Sequence, residues 1–164
     1  MILYAYPLLK TVGKDYADHI QNKAVLSYDS AWDTERLTEY LAEEIFRKNR
    51  LEWLRSIVEE VLEELTDFEK DLVAIRYFGK KHLLQTLREN AEGKRWNERA
   101  YFRRQQRLAE KLSGMLHKKG ITEEVFLRDF ATLDIFEKIR RFVEEGKDRN
   151  ICLEEKRFYE KGVV

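Results

Sequence analysis

Arginines alternate with aromatic residues and glutamines in the segment KRWNERAYFRRQQRLAEKL, which runs from Lys94 to Leu112. Guanidinium groups pair with phosphates and with the edge of guanine, glutamine can pair with adenine, and phenylalanine can contact the methyl group of thymine. The N-terminus of a helix also favours a phosphate. A helix that is capped at Asn97 and carries these side chains therefore indicates a DNA-binding surface.

This helix, predicted over residues 97–118, is expected to have one apolar face and one basic face. The apolar positions recur at helical spacing, with the stem of Arg104 or Gln105 filling one gap, and are Tyr101, Leu108, Leu112, Met115 and Leu116. The candidate DNA-binding residues of the cap and the opposite face are Asn97, Glu98, Arg99, Phe102, Arg103, Gln106 and Arg107. Arg99 and Arg103 are the best candidates for reading bases. Phosphate contacts are expected from Lys80, Lys81, Lys94, Arg95 and Arg107.

Charge is distributed unevenly along a chain that has no net charge overall. Residues 66–120 contain fourteen basic and seven acidic residues, whereas residues 29–65 contain five basic and eleven acidic residues. Such asymmetry indicates an anionic partner for the basic segment. The alternative is that the acidic and basic segments neutralise each other within the fold.

Helical periodicity runs through nearly the whole sequence, and seven glycines and one proline leave little material for hairpins. The predicted fold class is therefore all-α, a helical bundle that contains a helix-turn-helix. The predicted helices cover residues 8–27, 34–65 (as one helix or two), 66–78, 80–90, 97–118, 122–146 (with a break near Ala131–Thr132) and 152–161.

Residues that favour helix ends set these boundaries. Pro7 is expected at the start of the first helix, and Asp33 or Thr34 caps the second. Thr66 is followed by Glu69 at the spacing of a capping box. Gly79 and Gly120 are expected to end the helices that precede them.

The sequence carries no pattern typical of catalysis or of cofactor binding. His19, His82 and His117 lie in three different predicted helices, and none has a second His or Cys one turn away, so no metal site is predicted. No phosphate-binding loop or nucleophile motif is present, and the lone Cys152 has no partner for an internal disulfide. We therefore expect a protein that is not an enzyme and is located in the cytoplasm. No membrane-spanning segment is expected.

The segments LTDFEKDLVAIRYFGKK and WNERAYFRRQQRLAEKL resemble region 4 of bacterial sigma-70-type factors. They are still more similar to the sigma-like helix-turn-helix regulators of phages and mobile elements. The resemblance extends over about residues 65–118, at Leu65, Glu69, Ile75, Arg76, Tyr77, Phe78, Asn97, Glu98, Arg99, Tyr101, Arg103, Arg104 and Leu112. The segment between Phe78 and Asn97 is a few residues longer than in that family, and no sigma region 2 is recognisable.

The resemblance implies a transcriptional regulator that binds double-stranded DNA and could act with RNA polymerase. It divides the chain into an N-terminal helical region (1–65), a helix-turn-helix DNA-binding domain (66–120) and a C-terminal helical region (121–164). A unit of this kind usually binds as two copies, and aromatic residues at helical spacing in 126–142 predict a homodimer through the C-terminal helices.

Two alternatives concern the acidic helix 34–65. The chain could be a helical adaptor that binds a protein partner through this helix and makes no direct contact with DNA. Alternatively, the carboxylates of Glu59, Glu60, Glu63 and Glu64 could approach the basic helix of the same chain and weaken its binding to DNA. Ion pairs between these glutamates and Arg99 or Arg103 would favour the adaptor.

Overall fold

The computed structural model describes residues 1–26, 33–89 and 98–149, which form seven α-helices. These are α1 (Ile2–Leu26), α2 (Thr34–Glu63), α3 (Asp67–Tyr77), α4 (Leu83–Glu89), α5 (Glu98–Lys118), α6 (Glu123–Asp129) and α7 (Asp134–Arg149). The described residues contain no strand, which confirms the all-α prediction. Residues 91–96 between two predicted helices, the predicted cap at Asn97 and the predicted last helix at 152–161 lie outside the described residues.

Helix α1 begins at Ile2, so the prediction that Pro7 starts this helix was wrong. The residues before Pro7 are apolar, and Leu3 and Ala5 are buried in the core. The ring of Tyr4 also contacts that of Tyr77 at 4.9 Å between centroids. Packing of these residues extends the helix toward the N-terminus, with the proline inside its second turn.

Helix α2 is a single helix of 30 residues, which resolves the choice between one helix and two. The side chain of Asp33 caps it by accepting a hydrogen bond from the backbone N–H of Glu35 at 3.3 Å. Its C-terminal half carries a fully buried stripe formed by Leu51, Leu54, Val58 and Val61. Helices α1 and α5 both pack against α2.

The far ends of α1 and α2 form a helical hairpin, residues 14–25 and 34–43, which we call the arm. No side chain of the arm is buried. Some of its apolar residues, such as Tyr16, Ile20 and Leu37, are half-buried, and the His19 ring nitrogen Nε2 lies 2.7 Å from the Tyr40 hydroxyl. The arm is therefore held by partial burial and by polar contacts such as this one, and it has no buried core of its own.

The start and end of α3 match the sequence-based expectation. The Thr66 hydroxyl accepts a hydrogen bond from the Glu69 N–H at 3.4 Å, and the Glu69 carboxylate accepts one from the Thr66 N–H at 3.0 Å. This is the predicted capping box. The helix ends at Tyr77, and Gly79 two residues later has a φ of 68°, in the left-handed region that glycine adopts readily.

Helices α6 and α7 are separated by a turn at residues 130–133, as the expected break near Ala131–Thr132 indicated. The Thr122 hydroxyl caps α6, and Gly120 before it has a φ of 89°. Phe130 and Phe136 are fully buried, and the Phe130 ring stacks on that of Trp53 in α2. Most aromatic residues that suggested a dimer surface therefore pack inward on the same chain.

One hydrophobic core joins residues from all three predicted regions, 1–65, 66–120 and 121–164. Beside it, the Arg50 guanidinium of α2 forms an ion pair with Asp129 at the end of α6. The same guanidinium lies 4.6 Å from the ring centroid of Trp53 and 5.8 Å from that of Phe130. A planar cation suits this arrangement because it can stack on rings while its edge faces a carboxylate.

Glu69 links the start of α3 to α5, since its carboxylate also accepts a hydrogen bond from the Lys111 ammonium at 2.7 Å. Lys111 and then the Thr66 N–H lower the pKa of Glu69 below its ordinary value of 4.5. Stability from this carboxylate is therefore fully present above pH 4.5 and is lost as the pH falls through the lowered native pKa.

We predict that Glu69→Gln lowers the free energy of unfolding at neutral pH by less than about 1 kcal/mol, because exposed ion pairs contribute little and glutamine preserves the capping contact. The difference from wild type should shrink only as the pH falls below 4.5. Urea unfolding across an acidic pH series tests this, with Glu137→Gln on the exposed side of α7 as the control. If the free energies of unfolding of Glu69→Gln and wild type differed by the same amount at every pH, the lowered pKa of Glu69 would be contradicted.

Candidate nucleic-acid interface

The outward face of α5 presents the predicted base-reading residues to solvent. Arg99, Phe102, Arg103, Gln106 and Arg107 are all exposed. Within the described residues, no ion pair or hydrogen bond engages the guanidinium groups of the three arginines among them. The arginines follow one another at intervals of four residues, so they form a ridge along one side of the helix. Three cations without counter-charges can accept an anionic partner without first breaking an internal contact.

The inward face of α5 fixes this orientation. Leu108, Leu112 and Leu116 are buried, and Gln105 fills the gap in the apolar series with only 2% of its surface exposed. Its amide nitrogen donates to the Leu72 carbonyl of α3 and to the Tyr101 hydroxyl, both at 3.1 Å. Of the two residues considered for this gap, Gln105 therefore fills it, with its polar amide as well as its stem.

Arg104 lies on the flank of α5 and is not part of the arginine ridge. Its guanidinium is 5.3 Å from the ring centroid of Phe68 in α3. This contact with Phe68 differs from the role that the sequence pattern offered Arg104, which was to fill the gap in the apolar series of α5. The sequence signal for this contact is Phe68, an aromatic residue in the first turn of the helix that Thr66 caps.

Helix α4 lies between α3 and α5 in the part of the chain, about residues 65–118, whose sequence resembles sigma region 4. Leu87 of α4 is buried in the common core, and Leu72 and Val73 of α3 are buried with it. Helices α3, α4 and α5 thus follow one another in the chain and contribute to one core. Residues 90–97, which join α4 to α5, lie outside the described residues.

The predicted phosphate contacts are described only in part. Lys80 and Lys81 are exposed in the turn between α3 and α4, and the Lys80 backbone N–H donates to the Ala74 carbonyl at 3.1 Å. Lys94, Arg95 and Asn97 lie outside the described residues, and Glu98 is described only as the first residue of α5. The described part of the interface is therefore the turn after α3 and the outward face of α5.

The acidic residues of α2 have partners other than the arginine ridge. Glu60 and Glu64 both accept from the Lys119 ammonium, at 2.8 and 3.1 Å, and these contacts raise the pKa of Lys119. Glu59 pairs with Arg55 one turn earlier on α2, at 2.7 Å. In the described structure, the acidic run thus anchors the turn after α5 and does not pair with Arg99 or Arg103.

Glu110 is a neighbour of the candidate site that the sequence reasoning did not include. It follows Gln106 by one turn, and its carboxylate accepts a hydrogen bond from the Gln106 amide nitrogen at 3.3 Å. The sequence signal for this contact was the spacing of four residues between Gln106 and Glu110, which places them side by side on a helix. This contact uses the amide nitrogen of the exposed Gln106, so the amide oxygen remains as its acceptor, and it places a negative charge where the arginine ridge ends.

Two other kinds of feature, metal sites and membrane-spanning helices, are not found among the described residues. No group of three or more His, Cys, Asp or Glu side chains is placed there to hold a metal ion. Cys152 lies outside the described part of the chain. None of the described helices combines the length and apolar character needed to cross a membrane.

Comparisons with known proteins give no relatives for this chain. No protein-family model matches it, and neither a curated protein nor a solved structure does so.

The adjacent residues Gln105 and Gln106 allow a matched test of the two faces of α5. We predict that Gln105→Ala lowers the free energy of unfolding by roughly 1–3 kcal/mol, since it removes buried hydrogen bonds and leaves a void. Gln106→Ala, on the exposed face, should change it by less than about 0.5 kcal/mol. Urea unfolding of both variants measures this. Equal losses for the two variants would contradict the orientation of α5.

Proposed function

We propose that this protein is a DNA-binding transcriptional regulator in which α3, α4 and α5 act as a sigma-region-4-like helix-turn-helix. The observation that carries the proposal is the ridge of Arg99, Arg103 and Arg107, which is exposed on the side of α5 opposite its buried stripe and forms no ion pair with any residue that the structure describes. In this proposal α5 enters the major groove with its first three turns.

The spacing of the ridge suits this role. Residues four apart on a helix are separated by about 6 Å along its axis, which corresponds to roughly two base steps at 3.4 Å each. Arg99 and Arg103 would each pair with a guanine edge, while Phe102 and Gln106 lie beside them. Lys80, Lys81, Lys94, Arg95 and Arg107 would contact phosphates and set the position of the helix on the duplex.

The proposal also covers catalysis, location, the partner in transcription and the oligomeric state. The protein performs no catalytic step, works in the cytoplasm and acts on transcription together with RNA polymerase. It binds DNA as a homodimer, because two helix-turn-helix units on two half-sites give greater affinity than one unit.

A second candidate is a helical adaptor that binds a protein partner through α2 and makes no contact with DNA. The observation that favours it is the exposure of two large apolar residues, Ile45 and Phe46, on α2. The two candidates differ in what Arg99 does. An adaptor would retain its partner when Arg99 is removed, whereas the proposed regulator would lose its preference for a DNA site.

The test is a titration of the wild type against a selected DNA site and a scrambled one, at low and high salt. We predict that Arg99→Ala and Arg103→Ala each cost roughly 1–3 kcal/mol of binding free energy on the selected site, because each removes a bidentate base contact. Lys80→Ala should weaken both DNAs alike and lower the salt slope by about one unit.

Arg104→Ala is the matched control, since this arginine lies on the same helix but packs on Phe68. It should lose less specific binding than either ridge variant. A wild type without preference for any selected DNA, or ridge variants that bind as well as wild type, would rule out the proposed function.

Gln106 gives a finer test of the same surface. If Glu110 holds the Gln106 amide nitrogen, the outward oxygen should prefer bases that present an amino group, which are cytosine and adenine in the major groove. We predict that Glu110→Gln relaxes the preference at one base pair in a selection from random DNA. The same change in a Gln106→Ala background should have no effect at that base pair, and an equal effect in both backgrounds would contradict the coupling.

A further inference from the structure

An apolar patch lies where α7 packs beside α1, on a surface that the proposed DNA contact does not use. Phe142 of α7 is 65% exposed and Leu8 of α1 is 51% exposed. Both line a groove of about 360 Å³, together with Tyr4, Tyr77 and Ile139. A protruding phenylalanine thus stands beside an apolar recess that a second aromatic ring could enter.

Two charged residues of α7, Asp134 and Arg141, directly precede residues that line the groove, Ile135 and Phe142. Asp134 and Arg141 are exposed, and neither has an ion-pair partner within the described residues. They are seven residues apart, so they lie on the same side of the helix and about 10 Å from each other along its axis. One side of α7 therefore presents a negative group at its start and a positive group two turns later.

We infer that a second copy of this chain covers the groove, with the two α7 helices antiparallel about a twofold axis. An antiparallel α7 of identical sequence brings its Arg141 opposite Asp134 and its Asp134 opposite Arg141, so two complementary pairs form at once. The same rotation places each Phe142 near the recess of the other copy. A twofold interface requires such self-complementarity, because every contact occurs twice.

Lys138 lies close to this axis and lines the groove. Its long side chain lets the ammonium group reach solvent at the edge of the interface while its stem remains over apolar surface. The two copies of Lys138 therefore need not oppose each other.

This surface differs from the one that the sequence pattern suggested. Phe130 and Phe136 pack inside the chain, so the interface rests on Phe142, on Leu8 of α1 and on the charged side of α7. The helix α1 was not part of the sequence-based prediction of a dimer. The assembly can be measured without DNA, so its failure would leave the proposed DNA contact unaffected.

The first test compares Phe142→Asp with Leu127→Asp by sedimentation over a range of concentrations. Leu127 of α6 is 55% exposed and lies outside the groove, which makes it a matched control. The wild type should reach twice the 19.8 kDa of one chain. Phe142→Asp should weaken this dimer by roughly tenfold or more, because it removes an aromatic side chain that becomes buried when the two copies associate. Leu127→Asp should remain as dimeric as the wild type.

The second test identifies the partner as an antiparallel copy. Asp134→Arg alone and Arg141→Asp alone should each weaken the dimer, since like charges then face each other at both pairs. An equal mixture of these two variants should restore a dimer, because in the mixed pair each Arg faces an Asp at both positions. Circular dichroism verifies that each variant is folded, and the Phe142 comparison remains decisive if Asp134→Arg does not fold.

A wild type that stays at 19.8 kDa at the highest concentration would overturn the inference. So would a Phe142→Asp dimer as tight as the wild type, charge variants that dimerise normally by themselves, or a mixture of them that remains monomeric.

Discussion

The buried stripe on the second half of α2 is the feature on which the rest of the structure depends. Leu51, Leu54, Val58 and Val61 have no exposed surface, and they share one hydrophobic core with the buried leucines of α5, which packs against α2 as α1 does. Transfer of each such side chain out of water contributes roughly 1.5–3 kcal/mol. Because α5 packs its leucine face against this core, its opposite face, which carries the arginine ridge, points to solvent.

The distribution of charge follows from the same packing. The acidic residues at the end of α2 lie near the end of α5, where Lys119 pairs with Glu60 and Glu64. The arginine ridge lies toward the start of α5, several turns away along the helix. The chain thus neutralises its charge at one end of this helix and leaves positive charge at the other. A chain with no net charge can in this way present a strongly basic local surface.

Sequence reasoning predicted features that depend on local residue order. The cap at Asp33 or Thr34, the capping box at Thr66 and the turn at Gly79 are each determined by a few neighbouring residues. The structure has all three, with Asp33 as the cap. The start of α1 was wrong because it depends on Leu3 and Ala5 meeting the core, which local preference does not reveal. The contacts of Arg50, Arg104 and Gln105 join different helices, so they also required the tertiary arrangement. The exposure of Arg99 and Arg103 was predictable from helical periodicity, whereas the lack of ion-pair partners for them among residues 1–26, 33–89 and 98–149 was not.

The arm formed by the far ends of α1 and α2 has a consequence for how the molecule opens. Local unfolding is least costly where few apolar groups must be exposed, and no side chain of the arm is buried. Opening of the arm exposes a few half-buried apolar residues and breaks polar contacts such as that between His19 and Tyr40. Opening of the second half of α2 exposes Leu51, Leu54, Val58 and Val61 together. We therefore expect the two halves of the continuous helix α2 to open at different free-energy costs. The amide hydrogens of its first turns should exchange with solvent faster than those of the half that carries the buried stripe.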